Sequence, residues 1–121
     1  MKILIIDDED DIRCVCSLSL SMIGGVDVIE ADGGHEGIEK AIAERPDAVL
    51  LDMIMPDMDG SATITALKKN PQTAGIPVIF LTTRTLSIDF AKMRNLGAAG
   101  WVIKPFDPLT ITDQIKEMIS K

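Results

Sequence analysis

The sequence predicts an α/β protein: a doubly wound, five-stranded parallel sheet with helices on both faces. Three observations lead there. Five short apolar runs (Ile3–Ile6, Val26–Ala31, Ala48–Leu51, Val78–Leu81 and Trp101–Ile103) alternate with stretches whose apolar residues recur at helical spacing. Each run is short, and the unbroken Ala48–Leu51 suits a strand buried on both faces rather than a helix. The runs begin roughly every 20 to 30 residues, the size of a βαβ unit. Right-handed crossovers then place helices on both faces of the sheet. Finally, four of the five runs end in a polar or charged group: Asp7 and Asp8, Asp52, Thr82, and Lys104.

Taken in order, Ile3–Ile6 ends in Asp7, Asp8 and Glu9, and Asp10 suits the cap of a helix beginning near Asp11. Ile12, Val15, Cys16, Ser19, Met22 and Ile23 fall on one face of that helix, which Gly24 and Gly25 end. In the second strand, Asp27 and Glu30 mark an edge. Asp32 is placed to cap the second helix, whose stripe is Ile38, Ala41 and Ile42, and Pro46 follows its end. Gly33, Gly34 and Gly37 weaken this helix intrinsically. The third strand leads through Asp52 to a turn forced by Pro56 and Gly60. Asp57 and Asp59 read as turn formers. Ile64, Leu67 and Lys68 mark a short third helix closed by Asn70 and Pro71. The fourth strand ends in Thr82, Thr83 and Arg84, and a helix with Phe90, Met93 and Leu96 reaches Gly97. The fifth ends in Lys104-Pro105-Phe106; Asp107 caps and Pro108 opens the last helix, with Ile111, Ile115, Met118 and Ile119 on its apolar face.

A chain of 121 residues is one domain, and 46% hydrophobic with 26% charged residues is ordinary for a globular protein. No apolar run approaches a membrane span, and no charged-then-apolar leader precedes the first strand, so membrane insertion and export are not expected. The net charge of -7 argues against direct nucleic-acid binding by this chain. Cys14 and Cys16 do not form a zinc pattern and cannot easily bridge across two helical positions. They read as buried or half-buried structural thiols, and His35 as a solvated helix residue.

In a parallel sheet the carboxyl ends of the strands lie on one edge, where ligands bind in open α/β folds. Asp52 alone also suits a turn cap. With Asp7 and Asp8 it forms a set of three carboxylates, which repel unless one keeps a proton or a cation neutralises them. All-oxygen ligands suit Mg²⁺, which accepts one or two carboxylates and keeps waters for a phosphate to replace. Lys104 adds a positive charge and Thr82 a hydroxyl donor. The set suits phosphoryl transfer, in which a protein mainly positions groups and neutralises charge, with Asp52 as nucleophile forming an aspartyl phosphate.

Over its full length, 1–121, the chain resembles the receiver domain of two-component response regulators, of the CheY-like type. The matching pieces are Ile-Ile-Asp-Asp-Glu at 5–9, Leu-Asp-Met-Ile-Met-Pro-Asp-Met-Asp-Gly at 51–60, Ile-Pro-Val-Ile at 76–79, Leu-Thr-Thr at 81–83 and Gly-Ala-Ala-Gly-Trp-Val-Ile-Lys-Pro-Phe at 97–106. The resemblance implies a (βα)5 flavodoxin-like fold with strand order 2-1-3-4-5. It implies that Asp52 is the phosphoacceptor, that Asp8 ligates the metal directly, that Asp7 reaches it mainly through water, and that the Ile54 backbone carbonyl is a further ligand. Thr82 resembles the switch hydroxyl, Lys104 the residue that pairs with the phosphoryl group, and Trp101 the switch aromatic. Lys104-Pro105 is then a cis peptide. Three features depart from the usual pattern. Trp101 stands where Tyr or Phe is usual and Thr83 where a small residue is usual, while Ile54 and Arg84 lie where families vary in admitting water.

The function implied is a signalling switch. A histidine kinase or histidine phosphotransfer protein donates phosphate to Asp52 with Mg²⁺, and the fourth helix, fifth strand and fifth helix, roughly 86–121, change for a downstream partner. The chain turns over no separate substrate and is not an enzyme beyond its own phosphorylation and dephosphorylation. It is expected in the cytoplasm, as a monomer or a phosphorylation-dependent homodimer, either stand-alone or as part of a longer protein. Two alternatives differ in class. A Mg²⁺-dependent phosphohydrolase would need an acid-base group beside Asp52, where Met53 and Ile54 stand, and usually a cap. A pseudo-receiver would bind partners without phosphorylation, against which the intact acidic residues argue.

Overall fold

The computed structural model describes residues 1–83 and 90–120. The strands are β1 (Lys2–Ile6), β2 (Asp27–Ala31), β3 (Ala48–Asp52), β4 (Val78–Thr83) and β5 (Gly100–Lys104). The helices are α1 (Asp10–Leu18), α2 (Gly34–Glu44), α3 (Gly60–Lys69), α4 (Phe90–Asn95) and α5 (Ile111–Ile119). The five strands form one parallel sheet in the order β2-β1-β3-β4-β5, with β2 at an edge as its charged residues predict.

Strand alternation divides the core into two layers. Ile3, Ile5, Leu50, Ile79, Leu81 and Val102 pack with Cys16 and Leu20 of the first helical segment and Ile111 and Ile115 of α5. Leu4, Ile6, Val49, Leu51, Val78 and Phe80 pack with Ala41 of α2, Ile64 and Leu67 of α3 and Met93 of α4. All five residues of β3 are buried, so the strand that carries Asp52 is the central one in the packing as well as in the sheet. Each fully buried Leu, Ile or Phe contributes about 1.5–3 kcal/mol relative to exposure.

The first helix departs from the expected phase. Beyond Leu18 it continues as a π-helical turn over Ser19–Ile23, and the Gly24 amide bonds the carbonyl of Ser19. A π turn rotates the chain less per residue. Leu20 therefore enters the core, while Met22 and Ile23, expected on the inner face, are 78% and 53% exposed. Val15 lies on the flank and is also exposed. Cys16 is buried and Cys14 exposed, so only one thiol is structural. Burial pushes the Cys16 thiol up to about 12.

Three expected caps shift. Asp10 is the first residue of α1, not its cap, and its carboxylate pairs with Arg13. Asp32 does not cap α2: Gly33 holds that position, and Asp57 accepts from the amides of Gly34 and His35 at 3.4 Å each. A Cβ on Gly33 would lie 2.7 Å from an Asp57 oxygen, so the glycine opens the space this carboxylate occupies. Asp107 caps a turn at 108–110, accepting from the Leu109 amide, and α5 proper begins at Ile111. Asp59 does cap α3, accepting from Ala62 N at 2.8 Å. His35 is exposed, as expected.

Candidate functional site

Register brings the predicted groups together. Asp52 is opposite Leu81, and Lys104 is opposite Thr83, at the carboxyl ends of adjacent parallel strands. Asp7 follows β1 directly, and its amide bonds Ala31 O, which extends the sheet by one step. Side chains alternate along a strand, so Asp7, Asp52 and Lys104 continue the α1/α5 layer, while Thr82 and Trp101 continue the other.

Asp7 is wholly buried, Asp52 is 5% exposed and Asp8 is half-buried. Each offers a carboxylate oxygen, and the three oxygens lie within 4.8 Å of one another. Lys104 Nζ sits 3.5 Å from Asp7 Oδ2 and 3.4 Å from Asp52 Oδ1. Burial, then the neighbouring Asp7 charge, pushes the Asp52 carboxyl up to about 7, against the opposing pull of Lys104 and the Ile54 amide. That amide donates to Asp52 Oδ1 at 3.4 Å. One lysine does not neutralise two buried carboxylates, so the charge is incompletely offset. The donor set is all oxygen and fits a hard divalent ion such as Mg²⁺.

Thr82 is 2% exposed, and among the described residues its Oγ1 has no hydrogen-bond partner. An unmet buried hydroxyl costs about 1–3 kcal/mol and calls for an acceptor. Beside it a cavity of about 410 Å³ opens at the strand ends, lined by Asp8, Asp52, Ile54, Thr82 and Lys104. Ile54 is 59% exposed at that cavity. Trp101 is half-buried against the α2–α4 core layer, with the Arg94 guanidinium 5.4 Å from its ring centroid. Lys104-Pro105 is cis. Arg84 and the side chain of Thr83 lie outside the described residues.

Every predicted site side chain except Trp101 thus borders the cavity or the carboxylate cluster. Glu9, Met53, Met55 and Pro56 also line the cavity and were not singled out by sequence reasoning. Pro56 was visible only as a turn former, and the two methionines carry no chemistry to mark them.

Residues 3–116 match the family described as response regulator receiver domain. The chain belongs to that family. It is 32% identical over 120 residues to the alkaline phosphatase synthesis transcriptional regulatory protein PhoP of Bacillus subtilis, covering 99% of this chain and 49% of PhoP. It is equally 32% identical to the DNA-binding dual master transcriptional regulator RpaA of Synechocystis, covering 99% of this chain and 49% of RpaA. The chain therefore spans about half the length of these curated relatives. Among solved structures it is similar to the chemotaxis protein CheY4 of Vibrio cholerae, with 32% identity, a TM-score of 0.89 and 97% of each chain covered. The sheet order and helix placement are those of the CheY-like, flavodoxin-like fold. As a receiver domain of two-component systems, the module is a signalling switch. Among the described residues no helix is long and apolar enough to cross a membrane.

Proposed function

We propose that this receiver domain accepts a phosphoryl group on Asp52 from a phosphohistidine of a histidine kinase or phosphotransfer protein. The observation that carries this reading is the gathering around Asp52 of two carboxylates and one ammonium, beside a cavity that Asp52 shares with Thr82, whose buried hydroxyl has no partner among the described residues. An Asp52 oxygen attacks phosphorus, the phosphorus–nitrogen bond breaks, and the histidine nitrogen leaves with its electron pair. Asp7, Asp8, Asp52 and the Ile54 backbone carbonyl would hold Mg²⁺, which supplies charge neutralisation on the phosphoryl oxygens. Lys104 adds its positive charge on the other side of Asp52 and orients the transferred group. The strand ends hold these groups on rigid supports, so little reorganisation is needed as charge moves.

Thr82 reads the result. Its hydroxyl, which has no partner among the described residues, donates to a phosphoryl oxygen, and this draws β4 toward the site. Thr82 and Trp101 continue the same sheet face, so this shift is coupled to the packing of Trp101 against α4. The phosphoryl group thereby biases two conformations that already exist. The surface formed by α4, β5 and α5 is the output surface; residues 86–89 and 121, within its expected extent, are outside the described residues. The partner is a protein or an attached effector segment, and the domain acts in the cytoplasm as a monomer or a phosphorylation-dependent homodimer.

The test follows Trp101, the only tryptophan in the sequence. Its fluorescence is recorded on adding Mg²⁺ and then a small acyl phosphate, in the wild type and in Asp52→Asn. The expected result is a donor response that needs Mg²⁺ and disappears in the variant. A response that survives Asp52→Asn would move the acceptor elsewhere, and steady hydrolysis of a phosphate ester would favour a phosphohydrolase.

A further inference from the structure

Beneath the acidic turn sits a cation that the phosphoryl chemistry does not use. Arg13, on the first turns of α1, has a side chain only 16% exposed. Its Nη1 donates to the main-chain carbonyl of Asp7 at 2.7 Å. Its Nε donates to Glu30 Oε1 on β2 at 3.2 Å, and its Nη2 pairs with Asp10. Glu30 is in turn tied to α2, because Lys40 Nζ donates to the Glu30 carbonyl. A single guanidinium thus joins the end of β1, the start of α1 and the edge strand.

Asp7 is held through its backbone and its side chain. Its amide donates to Ala31 O, its Oδ1 accepts from the Glu9 amide at 2.9 Å, and its carbonyl receives Arg13. Fixing that carbonyl fixes the plane of the Asp7–Asp8 peptide, and with it the direction in which Asp8 leaves the strand. The carboxylates that pair with Arg13 belong to Asp10 and Glu30, outside the Asp7, Asp8 and Asp52 set. The guanidinium therefore orders the turn without taking up a ligand oxygen. A lysine could not do this, since a point charge has no rigid fork to span three acceptors.

Resting on the Mg²⁺ reading above, we infer that Arg13 is a positioning residue for the cation site: it sets the Asp7–Asp8 peptide so that both carboxylates meet Asp52. Partners of this kind, one shell outside the ligands, typically change metal affinity about 10- to 100-fold when lost. Electrostatics alone predicts the opposite sign. Removing a positive charge next to three carboxylates leaves their field more negative and should tighten binding of a cation.

The experiment is calorimetric titration of the whole chain with MgCl₂ at fixed ionic strength, for wild type, Arg13→Ala and Arg13→Lys, with thermal melts of each in EDTA. The expected result is a dissociation constant raised about 10-fold or more in Arg13→Ala and several-fold in Arg13→Lys, which keeps the charge and loses the fork. Equal or tighter Mg²⁺ binding by folded Arg13→Ala would overturn the inference and leave the site intact. If Arg13→Ala is unfolded at the assay temperature, Arg13→Lys decides alone, and unchanged affinity in it overturns the inference. No Mg²⁺ binding by the wild type would remove the cation site itself, and this inference with it.

Discussion

Asp52 ends β3 and Asp57 lies five residues on, within the loop 53–59 that leads to α3, and the fold treats their charges in opposite ways. Asp57 is exposed and meets the amides of Gly34 and His35 at the start of α2. Burial works slightly against its charge, but those amide bonds hold the carboxyl below its ordinary range. Asp52 is buried beside Asp7, with one lysine for two carboxylates, and is pushed up to about 7. The chain therefore passes from a carboxylate whose charge burial and Asp7 oppose to one whose charge the α2 amides favour. A buried carboxylate pair with its charge incompletely offset is a cost to the fold, and such costs mark the place where a ligand completes the arrangement.

The largest test of this contrast is the pH dependence of stability without Mg²⁺. The folded-state value for Asp52 is raised from 3.8 to about 7, so between these values the folded chain binds more protons than the unfolded one. Its contribution is fully present below about pH 4 and is lost as pH rises toward 7, with a ceiling of about 4 kcal/mol. Urea unfolding in EDTA should show wild type losing stability relative to Asp52→Asn across that window. Parallel profiles for the two proteins would mean that Asp52 is not strained. Next, Lys104→Met removes the cation between Asp7 and Asp52. A loss of about 3 kcal/mol is expected at pH 7.5 in EDTA, shrinking at pH 5 as a carboxylate takes a proton. An equal loss at both pH values would assign the effect to packing.

The smallest effect belongs to Asp57→Ala, which should cost about 1 kcal/mol by leaving the α2 amides to water. Because its carboxyl is held low, that contribution is present above about pH 4 and vanishes on acidification, the reverse of Asp52. Thermal melts at pH 7 and pH 3 read the difference; a loss of the same size at both would make the contact one of shape.

These differences also show what the sequence can reveal. Short apolar runs located four strands and a charge-interrupted one located the edge strand β2, and the polar groups at four strand ends marked Asp7, Asp8, Asp52, Thr82 and Lys104, because strand periodicity and burial are local properties. Asp57 as the cap of α2 was not legible, since donor and acceptor lie 22 and 23 residues apart and only packing joins them. The glycines at 33, 34 and 37 read as helix weakeners. Their use is steric: a Cβ on Gly37 would sit 2.4 Å from Ile6, so α2 could not lie as closely on β1. The phase of α1 was misread because a π turn gives no periodic signal of its own. Arg13 escaped notice because it serves a main-chain carbonyl, which no residue type announces.

The central claim is that the buried carboxylate at the end of β3, Asp52, is the acceptor. Intact-mass spectrometry after incubation with an acyl phosphate tests it most directly, with and without Mg²⁺, followed by peptide mapping under conditions that preserve the acyl phosphate. The account predicts one phosphoryl group per chain, dependent on Mg²⁺, on the peptide containing Asp52, and absent from Asp52→Asn. A Mg²⁺-independent adduct, an adduct on another residue, or no adduct in a chain that binds Mg²⁺ would contradict it.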